Sequence, residues 1–530
     1  MNTTGERTRM NGLSEQNGVT SRIPLELFFE IFSYLEPAAE YKTAIADLEP
    51  DPTTDRHSTL KNMALVCRDF YWHVFPFLFE NVYICRYDAK RDKAPPNFLA
   101  LCRSIVVGDE RARSLAAYVK RCAIVAYDVD RNYGFVLQDE EQELFILSTA
   151  VAYMSNLHEL YLWRTSITSD LVSSTTILPS LKLLRLEAGC DILKPLELTL
   201  LKDLSPLRVT HVIVKGVGFF DPMTKEGRAL RRLWLSSAER LTCDGIYDTF
   251  CRALESLHPM LNLQYLHLIS VSIDTVRPKT LSDALAGMSS LKSLHISRIN
   301  YRREELIFSR AEDTFVFEPC TSFPKLPLLE HIHAPIPALQ AMVPSSHIFS
   351  IGISSEYLEP SSPVPYPNDV AFWAQCAGVF NKSKSPITVL DIPFAFYHSV
   401  PIAELFPELR HLTIRPAHYN WHLNDISPDD IWHEHVMPTF WEEPDLMIED
   451  LLEAWDVLPE VSELEFVYDR YPMPHEPLPI SVPEDTIDYL QAMIPSLECV
   501  LFSFEGSSQP TQRIDISQEV GSDISPSDAS

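Results

Sequence analysis

Histidine is the residue type in this chain whose chemistry is most open, and it clusters twice. His418, His422, His433 and His435 lie among carboxylates, the surroundings of a metal site. Only His418 and His422 have the spacing of a helical ligand pair. The same stretch holds Trp421, Trp432, Trp441 and Trp455, so packing explains it more simply, and no metal is expected. The second group is His267, His295 and His333, each the middle residue of an apolar triplet: Leu266-His267-Leu268, Leu294-His295-Ile296 and Ile332-His333-Ala334. Strand residues alternate between faces, so aliphatics that point to a core send the histidines outward. Tyr161, Arg185, Ile213 and Trp234 hold the same slot in other copies, with Trp163 one outward position beyond Tyr161. On strands about 4.8 Å apart the histidines would form a ladder. Its imidazoles would titrate between about pH 5.5 and 7.5. Exposed aromatics with arginine are the composition of a recognition hot spot. Tyr161, Trp163, Arg185, Trp234, His267, His295 and His333 are therefore the expected binding residues.

The chain carries little else that could catalyse. Glycine is scarce at 15 residues, and no phosphate loop, nucleophile motif or zinc spacing occurs, so no cofactor is expected.

A repeat must position these side chains. Its long form is an apolar residue, two spacers, then Leu-x-x-aliphatic-x-aliphatic. It runs Met154–Leu162, Leu178–Leu186, Met260–Leu268, Met288–Ile296, Leu326–Ala334, Phe406–Ile414, Leu458–Phe466 and Ile494–Phe502. Pro179, Pro327, Pro407, Pro459 and Pro495 fill the slot after the first apolar residue, where proline ends a helix and extends its neighbour. Weaker copies lie at Val119–Ile124, Val209–Val214, Leu230–Leu235, Ile348–Ile353 and Ile387–Ile392. Helix and short strand alternating at such intervals, roughly 20 to 50 residues, describe an α/β solenoid with parallel strands. Insertions are expected near 299–325, 354–386 and 416–457, with an amphipathic helix at 445–457. The Ser- and Asp-rich tail, 505–530, is expected to be disordered, as is the polar start, 1–20.

Before the repeat comes a different pattern. Pro24 opens an apolar helical run in which Leu27, Ile31 and Leu35 share one face with Phe28 and Phe32 beside them. Leu60, Ala64, Val66, Cys67 and Phe70 supply a second helical stretch. Ile23, Pro24, Glu26, Leu27, Ile31, Phe32, Leu35, Leu60, Val66, Cys67, Arg68 and Phe70 resemble the F-box, the small all-α module that docks on the Skp-type adaptor of cullin–RING ubiquitin ligases. Ile23 and Phe70 stand where the family usually has Leu and Trp. The polar, proline-bearing segment 36–58 separates the halves as a loop. FPFLFENVYI, closing the module at 83, is similar to its counterpart in filamentous-fungal F-box proteins. The repeat, 84–504, resembles the degenerate leucine-rich repeats that follow F-boxes. Thr165, Val271 and Ile299 stand where such repeats usually carry Asn after the strand.

The resemblance implies that Ile23, Pro24, Leu27, Ile31, Phe32, Leu35, Leu60, Val66, Cys67 and Phe70 bind the adaptor, and that the repeat binds a protein substrate. The chain would be a non-catalytic, substrate-recognition subunit; the alternative is an adaptor-bound scaffold whose partners are not degraded. Composition agrees. The net charge is −29, and residues 421–530 hold 25 Asp or Glu against Arg470 and Arg513. That field disfavours nucleic acid. No segment has the apolar length of a membrane span or secretion signal. The ten cysteines form no Cys-x-x-Cys pair, which fits reduced thiols in cytoplasm or nucleus.

Overall fold

The structure, a computed structural model, describes residues 55–66, 68–85, 98–125, 138–187, 190, 192, 195–215, 224–244, 262–269, 271–273, 279–297, 299–301, 324–354, 370–415, 458, 460–469, 484–505 and 512–516. They fall into two compact units, Met1–Leu181 and Lys182–Ser530.

In the first unit, helices Asp55–Val66 and Arg68–Glu80 pack through Leu60 and Val74, with Met63, Ala64, Phe77 and Leu78 around them. Asp55–Ser58, expected in a loop, are the helix's first turn. Strands β1 (Asn81–Cys85), β2 (Arg121–Val125) and β3 (Glu159–Trp163) follow, all parallel and in register. β1 thus continues through the expected end of the F-box-like segment at residue 83. Each intervening helix has its own stop and start signals. Gly108, at φ 97°, follows helix Phe98–Val107 in a conformation only glycine adopts without strain. Asp109 then caps Glu110–Ala116 by accepting from the Arg111 and Ala112 amides. Thr168 caps Ser169–Thr176 in the same way.

The second unit is a row of parallel strands in sequence order: β4 (Leu183–Glu187), β5 (His211–Lys215), β6 (Arg240–Asp244), β7 (Tyr265–Leu268), β9 (Ser293–Ile296), β11 (His331–Ala334), β12 (Ser350–Ile353), β13 (Val389–Pro393), β14 (His411–Arg415), β15 (Glu463–Asp469) and β16 (Cys499–Glu505). One corner repeats along it. The carbonyl just before each strand accepts two amides at the start of the next, that of its first residue and that of the residue before it: Lys182 from Thr210 and His211, Glu239 from Gln264 and Tyr265, Lys292 from Glu330 and His331, Arg410 from Ser462 and Glu463. The inward pairs are fully buried, among them Leu184 and Leu186, Leu266 and Leu268, Leu294 and Ile296, Leu412 and Ile414, and the stacked rings of Phe466 and Phe502. At roughly 1.5–3 kcal/mol per large side chain, this continuous core is what one repeat alone could not supply.

Every long-form repeat ends in a strand. One weak copy does not. Leu230-x-x-Leu233-x-Leu235 belongs to helix Lys225–Trp234, whose N-terminus Thr224 caps by accepting from the Gly227 amide. Leu230, Leu233 and Trp234 have helical spacing and all are 0% exposed, so Trp234 is a core residue rather than an outward one. The strand of this repeat is β6, ten residues later.

The missing Asn is replaced in two ways. Buried Thr165 gives its hydroxyl to the Ile124 and Trp163 carbonyls, each at 3.0 Å, tying the end of β3 to β2. Val271 and Ile299 instead begin β8 (Val271–Ile273) and β10 (Ile299–Tyr301), a separate parallel pair where 299–301 was expected in an insertion. Helix Val370–Phe380 likewise lies within the 354–386 insertion. The tail is not wholly without structure either: β17 (Gln512–Asp515) pairs antiparallel with β16. Its alternation of polar residues with Ile514 was the available signal. Six described cysteines, such as Cys102 and Cys122, are buried thiols, acting as small apolar residues. No helix among the described residues is long and apolar enough to cross a membrane.

Replacing Trp234 with Ala should cost about 3–5 kcal/mol of stability, the range for emptying a fully buried aromatic site. Chemical denaturation measures it. A change below ~0.5 kcal/mol would return Trp234 to the surface.

Candidate ligand-docking face

In a parallel sheet held in register, the middle outward residues of successive strands become neighbours. Register pairs run Arg185–Ile213–Thr242–His267–His295–His333–Gly352–Asp391–Thr413–Glu465 from β4 to β15. Alternation in the sequence places Arg185, Ile213, His267, His295 and His333 in this column but puts Trp234 where Thr242 stands; Asp391 and Thr413 hold the same slot and continue it to Glu465.

The histidine ladder forms. His267 and His295 stack with centroids 4.1 Å apart and planes 12° from parallel; His295 and His333 follow at 4.2 Å and 26°. Ser297, just past β9, bridges Nε2 of His267 at 2.8 Å and Nε2 of His295 at 3.1 Å. Stacked rings with nitrogens engaged this way do not converge on a metal. Among the described residues no group of three His, Cys, Asp or Glu is placed to hold one.

His333 reaches across β12 to Asp391 on β13, Nδ1 to Oδ2 at 3.3 Å. Glycine makes that reach possible. A Cβ on Gly352 would sit 2.5 Å from His333 Nδ1 and 2.7 Å from Cγ. Arg415 grips the same carboxylate with two bonds, Nε to Oδ1 at 2.7 Å and Nη2 to Oδ2 at 2.8 Å, the fork geometry of a strong pair. Burial alone would raise the Asp391 carboxyl; the bond and charge of His333, then those of Arg415, outweigh it and hold the carboxyl well below its usual range.

Two more clusters flank the ladder. On β4–β7, Glu187 is buried between Arg185 at 2.7 Å and Lys215 at 3.4 Å, and Arg240 lies over the half-exposed Tyr265 ring. On β14–β16, His411 lies between Glu463 (Nδ1 to Oε1, 3.4 Å) and Thr413 (Nε2 to Oγ1, 3.0 Å). Thr413 donates to Glu465 at 3.1 Å, and Ser503 donates to the same carboxylate at 2.6 Å. Both His411 nitrogens donate only in the imidazolium form, and its proton affinity is raised accordingly, chiefly by the bond to Glu465 against burial.

The ladder behaves oppositely. Burial, then the His333 and Lys215 charges, pushes His267 down to about 4; burial, then His333 and His267, pushes His295 down to about 2. The expected titration of these two rings between pH 5.5 and 7.5 is thereby corrected.

Of the other expected binding residues, Arg185 is outward but committed to Glu187. Tyr161 and Trp163 are 7% and 3% exposed within the first unit, so neither is the exposed aromatic that the alternation implied. Arg164, at φ 48°, lays its guanidinium over the Trp163 ring at 4.8 Å.

Of the expected adaptor-binding residues, Ile23, Pro24, Leu27, Ile31, Phe32, Leu35 and Cys67 lie outside the described residues, and the Phe70 side chain does also. Leu60 is 1% exposed and packs between helices, which makes it core rather than docking surface. Val66 is 68% exposed. His418, His422, His433 and His435, with the tryptophans among them and helix 445–457, also fall outside.

No family model matches this chain. No curated protein matches it. Among solved structures, an internalin from Listeria monocytogenes covers 60% of this chain and 88% of its own, at 12% identity and a TM-score of 0.25. A score that low carries no functional weight. The strands themselves define the architecture: mixed α/β, built of repeated units on parallel sheet.

Two predictions follow from the face. Gly352→Ala should displace His333 and cost about 1–3 kcal/mol, as overpacking does. Its effect should be non-additive with Asp391→Asn, because both break one contact; additive denaturation shifts would refute the coupling. For His411, the folded ring holds its proton more tightly than the ordinary value of 6.5. Its stabilisation is therefore complete below that value and lost as pH rises through the folded one. His411→Gln should flatten the decline in melting temperature on the alkaline side of neutral; an unchanged decline would place its origin elsewhere.

Proposed function

We propose that this chain is a non-catalytic substrate-recognition subunit of a cullin–RING, SCF-type ubiquitin ligase. Its F-box-like segment would hold a Skp-type adaptor, and its parallel-strand units would hold the protein to be ubiquitylated. The contribution is proximity, bringing a substrate lysine near a charged conjugating enzyme. Cytoplasm or nucleus is the setting this reading requires.

The observation that carries it lies at the second half of the motif. Helices Asp55–Val66 and Arg68–Glu80 bury Leu60 and Val74 between them yet leave Leu65 82% and Val66 68% exposed, next to Cys67. Two adjacent large aliphatics left open on a small helical pair suit an apolar partner. The outward face of the second unit supports the other half of the reading. Among the described residues it brings no nucleophile and base together, but it does offer a long column of polar and aromatic side chains.

Substrate capture is assigned to the outward side chains that remain accessible: Tyr265 and Arg240 on the basic side, with His267, His295 and His333 as the strip beside them. Tyr161, Trp163 and Trp234 are released from that role by their burial.

Val66→Asp, and separately Pro24→Ala with Ile31→Ala, should abolish co-purification of a Skp-type adaptor while the melting transition is retained. A fully buried aliphatic is worth roughly 1.5–3 kcal/mol, more than a tenfold change in affinity. Undiminished co-purification of both variants would sink the assignment.

A further inference from the structure

Three imidazoles in ring contact across three strands pack closely only while they are not all charged. Like charges at 4.1–4.2 Å repel, and the repulsion is several-fold stronger at a protein surface than in bulk water. The bonds of this stack suit neutral rings. The Ser297 hydroxyl has one proton, so it is fully used when one Nε2–H donates to it and it donates to the other bare Nε2.

We propose that the stack of His267, His295 and His333 is an acid-operated catch on the outward face of the second unit. It is closed at neutral pH, with His267 and His295 uncharged. It opens when protons charge neighbouring rings, and β7, β9 and β11 loosen with it.

The charged groups around the catch favour this sense of operation. Lys215 on β5 bears on His267, and Arg415 on β14 bears on His295, both opposing a second positive charge. From β6 the stack meets Thr242, which carries no charge. Asp391 on β13 is the carboxylate that favours a proton on the stack, and it is already committed to Arg415 and His333. On the neighbouring outward slots of the same strands lie Tyr265, Ser293 and His331. His331 is also disfavoured from charging by burial, against a weaker pull from Glu330. Of the carboxylates named, Asp391 is engaged by Arg415 and His333, and Glu330 acts on His331.

The sign follows from linkage. His267 and His295 bind protons less readily in the folded sheet than in the open chain, whose ordinary value is 6.5. Their stabilisation is complete above that value and lost as pH falls below it. The closed stack resists a second proton whereas the open one takes all, so opening takes up more than one proton and is steep in pH. A partner held across these strands would be kept at neutral pH and released in acid. The catch belongs to these strands alone, so it stands or falls separately from the ligase assignment.

The test uses the full chain. Histidine C2-hydrogen exchange read by mass spectrometry gives the half-protonation pH of each ring, and thermal melting from about pH 4 to 8 gives the opening. His267 and His295 should still exchange as neutral rings at about pH 5. Melting temperature should fall steeply on the acid side of 6.5, and His295→Phe, which keeps a flat ring that cannot take a proton, should fall less. Half-protonation of both rings near 6.5 in a chain that remains folded would overturn the proposal. So would an acid slope unchanged in His295→Phe. If that variant does not fold, exchange on the unaltered chain decides.

Discussion

Register is the constraint on which the rest depends. Parallel strands joined by the same corner, one carbonyl accepting two amides, cannot slip relative to one another without breaking every such corner. Whatever residue occupies the middle outward slot is therefore placed against its counterparts on both sides. Stacked imidazoles, a glycine that lets one of them lean across a strand, and a carboxylate gripped by arginine and histidine are local solutions to that enforced proximity. The aliphatics on the other face hold the register and so hold the column.

Along the column the solutions differ in kind. At β4–β5 a buried glutamate neutralises two cations; at β7–β11 imidazole rings stack; at β14–β16 two glutamates raise the proton affinity of a histidine. The two histidine clusters respond to protons in opposite directions. The ladder thus contributes stability that is lost on the acid side, and His411 stability that is lost on the alkaline side.

What the sequence disclosed tracks how much of a signal is local. The alternation Leu-x-Leu revealed strands and the outward histidines because the period-two pattern is written in a few adjacent residues. It misled at Leu230–Leu235, where a helix with a threonine cap happens to present the same apolar spacing; the cap at Thr224 lay outside the pattern being matched. Burial of Tyr161 and Trp163 was not legible, because what covers a strand's outward face is set by tertiary packing rather than by alternation. The contact of His333 with Asp391 was invisible in another way. It joins residues 58 apart in sequence and depends on Gly352 lacking a side chain. The outward slot at Ile351-Gly352-Ile353 was readable, but only the sheet order says which ring fills the gap.

Among the described strands of the row, β17 runs the other way. β17 covers β16 antiparallel, and its exposed Arg513 and Asp515 pair with each other at the rim. A further parallel unit could not continue the corner there, because β17 runs against the row and carries exposed charges along it. The row is terminated in the manner of a polymer end group. Lengthening by duplication would have to be inserted among the existing units, and a second molecule meeting this rim would find charged side chains in place of another corner.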